Sequence, residues 1–193
     1  MGLVQGSSSI ILKGVIMLLS FLRGFCKKVD FIVMLAGYAA SYMMPVLALI
    51  VASEVFSRYF LNKPTVWAFD LSLFLFGYIA ILGGAYAHQK RAHIVVDIFY
   101  ARVSPRTRRI FNLISYSLGI FFLILIVYTC QDKLVAALKF GTRRQSEWAP
   151  YMHHFWIMMI VGSSLFIVQL VRDIIADIFY ICTGNHLLKK GEL

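Results

Sequence analysis

Two imidazoles facing each other between membrane helices can ligate a b-type haem, so the histidines are the first chemistry to weigh. Ligands of one haem meet at one depth. His88 and His93 follow an apolar run, whereas His153 and His154 stand near the start of another. With the topology derived below the two sets occupy opposite faces of the membrane. His88 and His93 are i and i+5 along a helix, off-face for a shared metal. Acids are the second chemistry, because an ionisable group inside a bilayer is often functional. Glu54, Asp70, Asp132, Asp173 and Asp177 all lie within about two turns of a predicted interface, at a helical rise of about 1.5 Å per residue. A self-contained ion or proton carrier is expected to place an acid at mid-span, and this chain has none there. Arg58, four residues after Glu54 and close to Asp70, offers both acids a partner, so that group is expected to hold helices together. Cys26, Cys130 and Cys182 form no pair motif and no metal site. No nucleophile elbow, phosphate loop or metal quartet occurs. The expectation is a protein that is not an enzyme and carries no cofactor.

The elements that position these groups are long apolar blocks. Of the 193 residues, 60% are apolar and 15% charged, against about 25% charged in ordinary soluble domains. Segments 31–53, 71–87, 110–131 and 148–171 contain no Asp, Glu, Lys or Arg. A helix needs roughly 17–25 such residues to cross a core of about 30 Å. The reading is an all-α integral membrane protein with four transmembrane helices at about 30–58, 66–88, 106–140 and 150–177. The core domain covers 30–182 and a basic tail covers 183–193.

Residues 9–28 hold an apolar run too short to span. Ser9, Lys13, Ser20, Arg23, Lys27 and Lys28 share one arc of a helix, with Ile, Leu, Met and Phe opposite. Segment 1–29 is therefore expected to lie on an anionic leaflet as an interfacial amphipathic helix. Pro45 sits inside span 1, Asn62-Lys63-Pro64 turns the chain, and Thr65 is placed to cap span 2. Ser104-Pro105 reads as an N-cap with proline at the first helical position, and Gly141 as the stop of span 3. Between spans 2 and 3, His93 and Asp97 share a face of a short interfacial helix. The patch Gly83-Gly84-Ala85 and the group Gly162-Ser163-Ser164 permit close helix approach and are expected to hold a partner.

The net charge of +10 resides in the short connections, where it is a topology signal and not a nucleic-acid footprint. Thirteen Lys and Arg fall in the N-terminal segment, the 2–3 connection and the C-terminal end, against six on the other side. That balance puts both termini in the cytoplasm. Trp67, Trp148 and Trp156 then lie near the outer interface, as belt residues do.

In order and spacing, Arg58-Tyr59, Trp67 with an acid three residues on, the Gly-Ala patch and His93-Ile94-x-x-Asp97 make a pattern. It resembles the small membrane subunit of tripartite ATP-independent periplasmic (TRAP) transporters over about residues 30–180. The family often shows Trp-x-Glu-Glu where this chain has Trp67-Ala68-Phe69-Asp70, one acid fewer and the other shortened. Arg58, Trp67, Asp70, His93 and Asp97 are the positions that carry over. The resemblance implies a multi-pass protein of the bacterial inner membrane. Its partners would be a large many-span subunit and a periplasmic substrate-binding protein. Their task would be uptake of organic acids or other carboxylates on an ion gradient, sodium in the first instance. The small subunit would scaffold the large one, with Glu54, Arg58, Trp67, Asp70, Gly83, Gly84, His93 and Asp97 as structural or partner-contact residues. A membrane anchor holding haem b in a redox complex is the alternative.

Overall fold

A computed structural model describes residues 2–90 and 104–183, and all four predicted spans are helical within it. The helices are α1 Gly2–Phe60, α2 Ala68–Gln89, α3 Pro105–Phe140 and α4 His153–Thr183. Each contains a stretch long and apolar enough to cross a membrane. Among the described residues no strand occurs beyond an isolated bridge between Arg143 and Tyr151. His93, Asp97 and the interfacial helix expected around them lie outside the described residues, as does the basic tail from 184.

Helix ends fall where the local chemistry ends them. Ser104 Oγ accepts the Thr107 backbone N–H at 3.3 Å, with proline in the first turn of α3. Gly141 closes α3 in the left-handed region at φ 59°, and its N–H returns to the Ala137 carbonyl. The start of α2 differs from expectation. Trp67 occupies the N-cap position without any side-chain cap bond, because Thr65 is otherwise engaged: its N–H and hydroxyl both donate to Glu54 Oε2.

Helix α1 runs through both Pro45 and position 29 without a break. Its 59 residues amount to about 88 Å at 1.5 Å per residue, some two bilayer thicknesses. From Asp30 to Glu54 the rise is about 36 Å, which matches one crossing. The remaining N-terminal half extends beyond it.

Two antiparallel hairpins, α1–α2 and α3–α4, meet through α2 and α4, with a smaller contact between α1 and α4. The core that joins them holds Val29, Val33 and Ala85, flanked by Phe25, Tyr86, Leu165 and Phe166. Small residues set the spacing, though not chiefly those of the Gly83-Gly84 patch. A Cβ at Gly37 would run into the ring of Tyr86, and one at Gly162 would stand 2.7 Å from Ile81 Cγ1. At Gly83 the nearest atom is Ala40 Cβ at 3.9 Å, and at Gly84 Phe166 Cε1 at 3.6 Å, both ordinary contacts. The patch therefore faces α1 and α4 of the same chain, where a second protein was expected.

Candidate functional site

Polar side chains collect at the two ends of the bundle. At the Asp70 end, Arg58 reaches back one turn along α1 to Glu54, with Nη2 and Nε donating to Oε1 at 2.7 and 3.2 Å. Glu54 also takes both donors of Thr65, which fastens the 61–67 turn onto α1. This is the i, i+4 pair that the spacing predicts. The further pairing of Arg58 with Asp70 does not form. Arg58 is held by its own helix, and Asp70 turns the other way, toward the α3–α4 loop.

Asp70 is fully buried in the first turn of α2, where the helix dipole favours a carboxylate. Arg144 Nε stands 2.8 Å from its Oδ1, an ion pair whose N–H is not aimed along the hydrogen-bond axis. Ser146 donates its hydroxyl to Oδ2 and accepts the Ala149 N–H at 3.2 Å. Ala149 adopts φ 47°, a left-handed conformation that costs a residue with a Cβ about 1–2 kcal/mol. Arg144 N–H to the Pro150 carbonyl and Met152 N–H to the Thr142 carbonyl, at 3.0 and 3.2 Å, close the loop. One buried acid thus organises the whole 141–152 loop. Between it and the 61–67 turn lies a cleft of about 400 Å³ bordered by Arg58, Thr65, Phe69, Asp70, Ser146 and Glu147. Trp67 stands beside it, 40% exposed.

At the opposite end, Arg172 of α4 donates from Nη2 to Asp30 of α1 and from Nη1 to its neighbour Asp173, each at 2.6 Å. His88 Nε2 of α2 lies 3.1 Å from Asp173 Oδ2, and the imidazole meets the Tyr116 ring of α3 edge-on. Gln89 donates to the Asp30 carbonyl at 2.9 Å and to its carboxylate at 3.3 Å. Gln169, 1% exposed, reaches Asp173 at 3.5 Å. A turn further along, Arg109 and Asn112 of α3 both engage Asp177 of α4, and Arg109 lies over the Tyr180 ring. All four helices are linked here.

The predicted site residues divide accordingly. Glu54, Arg58, Trp67 and Asp70 gather at one end, Gly83 and Gly84 pack inside the bundle, and His93 and Asp97 lie outside the described residues. The histidines separate as their order along the chain suggests: His88 belongs to the Asp30 end, while His154 Nδ1 pairs with Tyr78 OH at 2.6 Å toward the other. Sequence reasoning missed Arg144 and Ser146, and it missed the network around Arg172. One signal was available: Asn112 and Gln169 are amides inside otherwise apolar runs, and a buried amide requires a partner.

Comparison with known proteins adds two findings. Residues 47–179 match the family model described as tripartite ATP-independent periplasmic transporters, DctQ component. The match spans every ion pair above except the contact to Asp30. A relative from Vibrio cholerae serotype O1, the C4-dicarboxylate TRAP transporter small permease protein DctQ, is 23% identical over 90 residues. That alignment covers 47% of this chain and 39% of the relative.

Proposed function

We infer the role of this chain from one premise: it belongs to the DctQ-component family of tripartite ATP-independent periplasmic transporters, and is a multi-pass small membrane subunit of such a transporter. On that premise it acts as a non-catalytic scaffold. It enlarges the static part of the carrier, while a large many-span subunit moves the substrate and a periplasmic binding protein delivers it. The driving force on this reading is an ion gradient, sodium in the first instance, and the cargo is an organic acid of the dicarboxylate type. Both termini then face the cytoplasm of a bacterial inner membrane, where the N-terminal half of α1 projects from the span in place of the separate interfacial helix expected over 1–29.

The observation that carries the scaffold reading is the state of the acids inside the bundle. Asp30, Asp70 and Asp177 are all buried, and each is paired to an arginine from a different element: Arg172, Arg144 and Arg109. A group that carries an ion must exchange partners during the cycle. Carboxylates held by fixed guanidinium groups serve instead to fasten helices. Liposomes holding only this chain should therefore show no uptake of labelled C4-dicarboxylate under an inward sodium gradient. Uptake should appear once the large subunit and binding protein are added. Accumulation by the chain alone would refute the scaffold reading.

A further inference from the structure

Two acids among the described residues stand outside all of these pairs, Glu147 in the α3–α4 loop and Asp132, and of these Asp132 alone lies within a helix. Asp132 of α3 is exposed, and no hydrogen bond or ion pair reaches it among the described residues. Its depth follows from the register of α3 on α4. Gly119 faces Leu170, since a Cβ there would stand 3.3 Å from Leu170 Cδ1. Asp132 lies thirteen residues further along α3, about 20 Å at 1.5 Å per residue. Leu170 is itself within a turn of Arg172, the hub that marks the Asp30 boundary. A hydrocarbon core of about 30 Å measured from that hub ends about a full turn beyond Asp132. Tilting the helix would place the acid deeper. Helical side chains also lean toward their N-terminus, which for α3 is the Asp30 end, so the carboxylate is directed into the membrane. Lys133 has the length to reach back to the interface, whereas an aspartate does not.

The direction around the helix is equally defined. At 100° per residue Asp132 falls opposite Leu123 and Cys130, the positions buried against α4. It shares its outward strip with Leu118, Phe121, Leu125 and Tyr128, which are between 48% and 65% exposed. This helix packs chiefly on α4 alone and is the least covered of the four. The exposed strip of α1 contrasts with it. Phe31, Leu35, Tyr42 and Leu49 there include no carboxylate or cation, and acyl chains satisfy such a surface. Hydrocarbon does not satisfy an aspartate, which at this depth faces protein or a water-filled cavity.

We propose that the outward face of α3 seats against the large membrane subunit, with Asp132 accepting a charge-assisted hydrogen bond from a lysine or arginine of that partner. The inference deepens the small-subunit reading above and rests on it. The test uses the whole complex isolated from membranes by a tag on this chain. A photo-crosslinking side chain at Tyr128 should give an adduct with the large subunit, and one at Tyr42 should not. Asp132→Lys should lower recovery of the large subunit at least tenfold, and Asp132→Asn by several-fold. The melting temperature of the isolated chain should stay unchanged, because Asp132 has no partner among the described residues. Adducts from position 128 with lipid or a second copy only would overturn the inference. So would wild-type recovery of the partner by Asp132→Lys, or a fall in the chain's own melting temperature. A wild-type chain that captures no large subunit would refute the small-subunit reading as well. A complex that forms normally while α3 is silent would refute the docking face alone.

Discussion

Replacing Arg172 by alanine is expected to destabilise the chain by about 3–5 kcal/mol, the range for removing one partner of a buried ion pair. The size follows from what is left behind. Asp30 and Asp173, each 2.6 Å from the guanidinium, would face each other across the contact between α1 and α4 without their cation. His88 would remain beside Asp173, but nothing among the contacts described would neutralise Asp30. Adding Asp30→Asn to the Arg172→Ala chain should therefore recover a substantial part of the loss, since a neutral amide in place of that carboxylate relieves the repulsion. Equilibrium unfolding in mixed micelles, comparing the wild type with the single and double variants, supplies the numbers. A loss under about 1 kcal/mol, the value for exposed ion pairs, would mean that the hub is solvated.

The second large effect is expected at Asp70. Asp70→Ala removes a fully buried carboxylate, stranding Arg144 and releasing the Ser146 hydroxyl that holds Ala149 at positive φ. A charged, buried hydrogen-bond acceptor contributes about 1.5–3 kcal/mol, and most of that loss should appear as local opening of the 141–152 loop. Trypsin, which cuts after Arg143 and Arg144, provides the readout. At about 2 kcal/mol the open population rises on the order of 30-fold, and cleavage should accelerate to match while closing remains faster than cutting. Ser146→Ala, which leaves the Arg144 pair intact, should have the smaller effect. Equal cleavage of Asp70→Ala and wild type would show that the loop is held by its own backbone bonds.

These two sites also mark what could be read in the sequence. Four uncharged blocks of bilayer length determine four helices almost by themselves, because hydrocarbon leaves the backbone no other way to satisfy its polar groups. The caps at Ser104 and Gly141 and the Glu54–Arg58 pair are local signals, between residues at most four apart, and all three are found in the structure. Asp70 was legible as a residue that needs a partner, but its partner was misassigned. Arg58 is near in sequence, whereas Arg144 is 74 positions away and reaches Asp70 only because the α3–α4 loop folds back beside the first turn of α2. Nor could spacing foresee Arg172 joining Asp30, a contact across 142 positions that depends on the register of α1 on α4. The glycine reading is met at Gly162, whereas Gly83 and Gly84 make only ordinary contacts. Adjacent glycines stand out in a sequence, yet the close approaches occur at Gly37 and Gly162, each with a large side chain, Tyr86 or Ile81, filling the space.

On the scaffold reading, the cross-element ion pairs hold the four helices as one body that stays fixed during transport. The most direct test is to prevent it from moving. A Cβ built at Gly162 stands 3.3 Å from Ile81 Cβ, close to the 3.5–4.5 Å that a disulfide spans. Ile81→Cys also clears the space that Gly162→Cys needs. With the native cysteines replaced, oxidation of this double variant locks α2 to α4 and so one hairpin to the other. In vesicles containing the complete transporter, substrate uptake by the oxidised form should lie within about twofold of the reduced form, a difference below 0.5 kcal/mol. Uptake that stops on oxidation and returns with reductant would contradict the account, since the small subunit would then have to flex for transport to proceed.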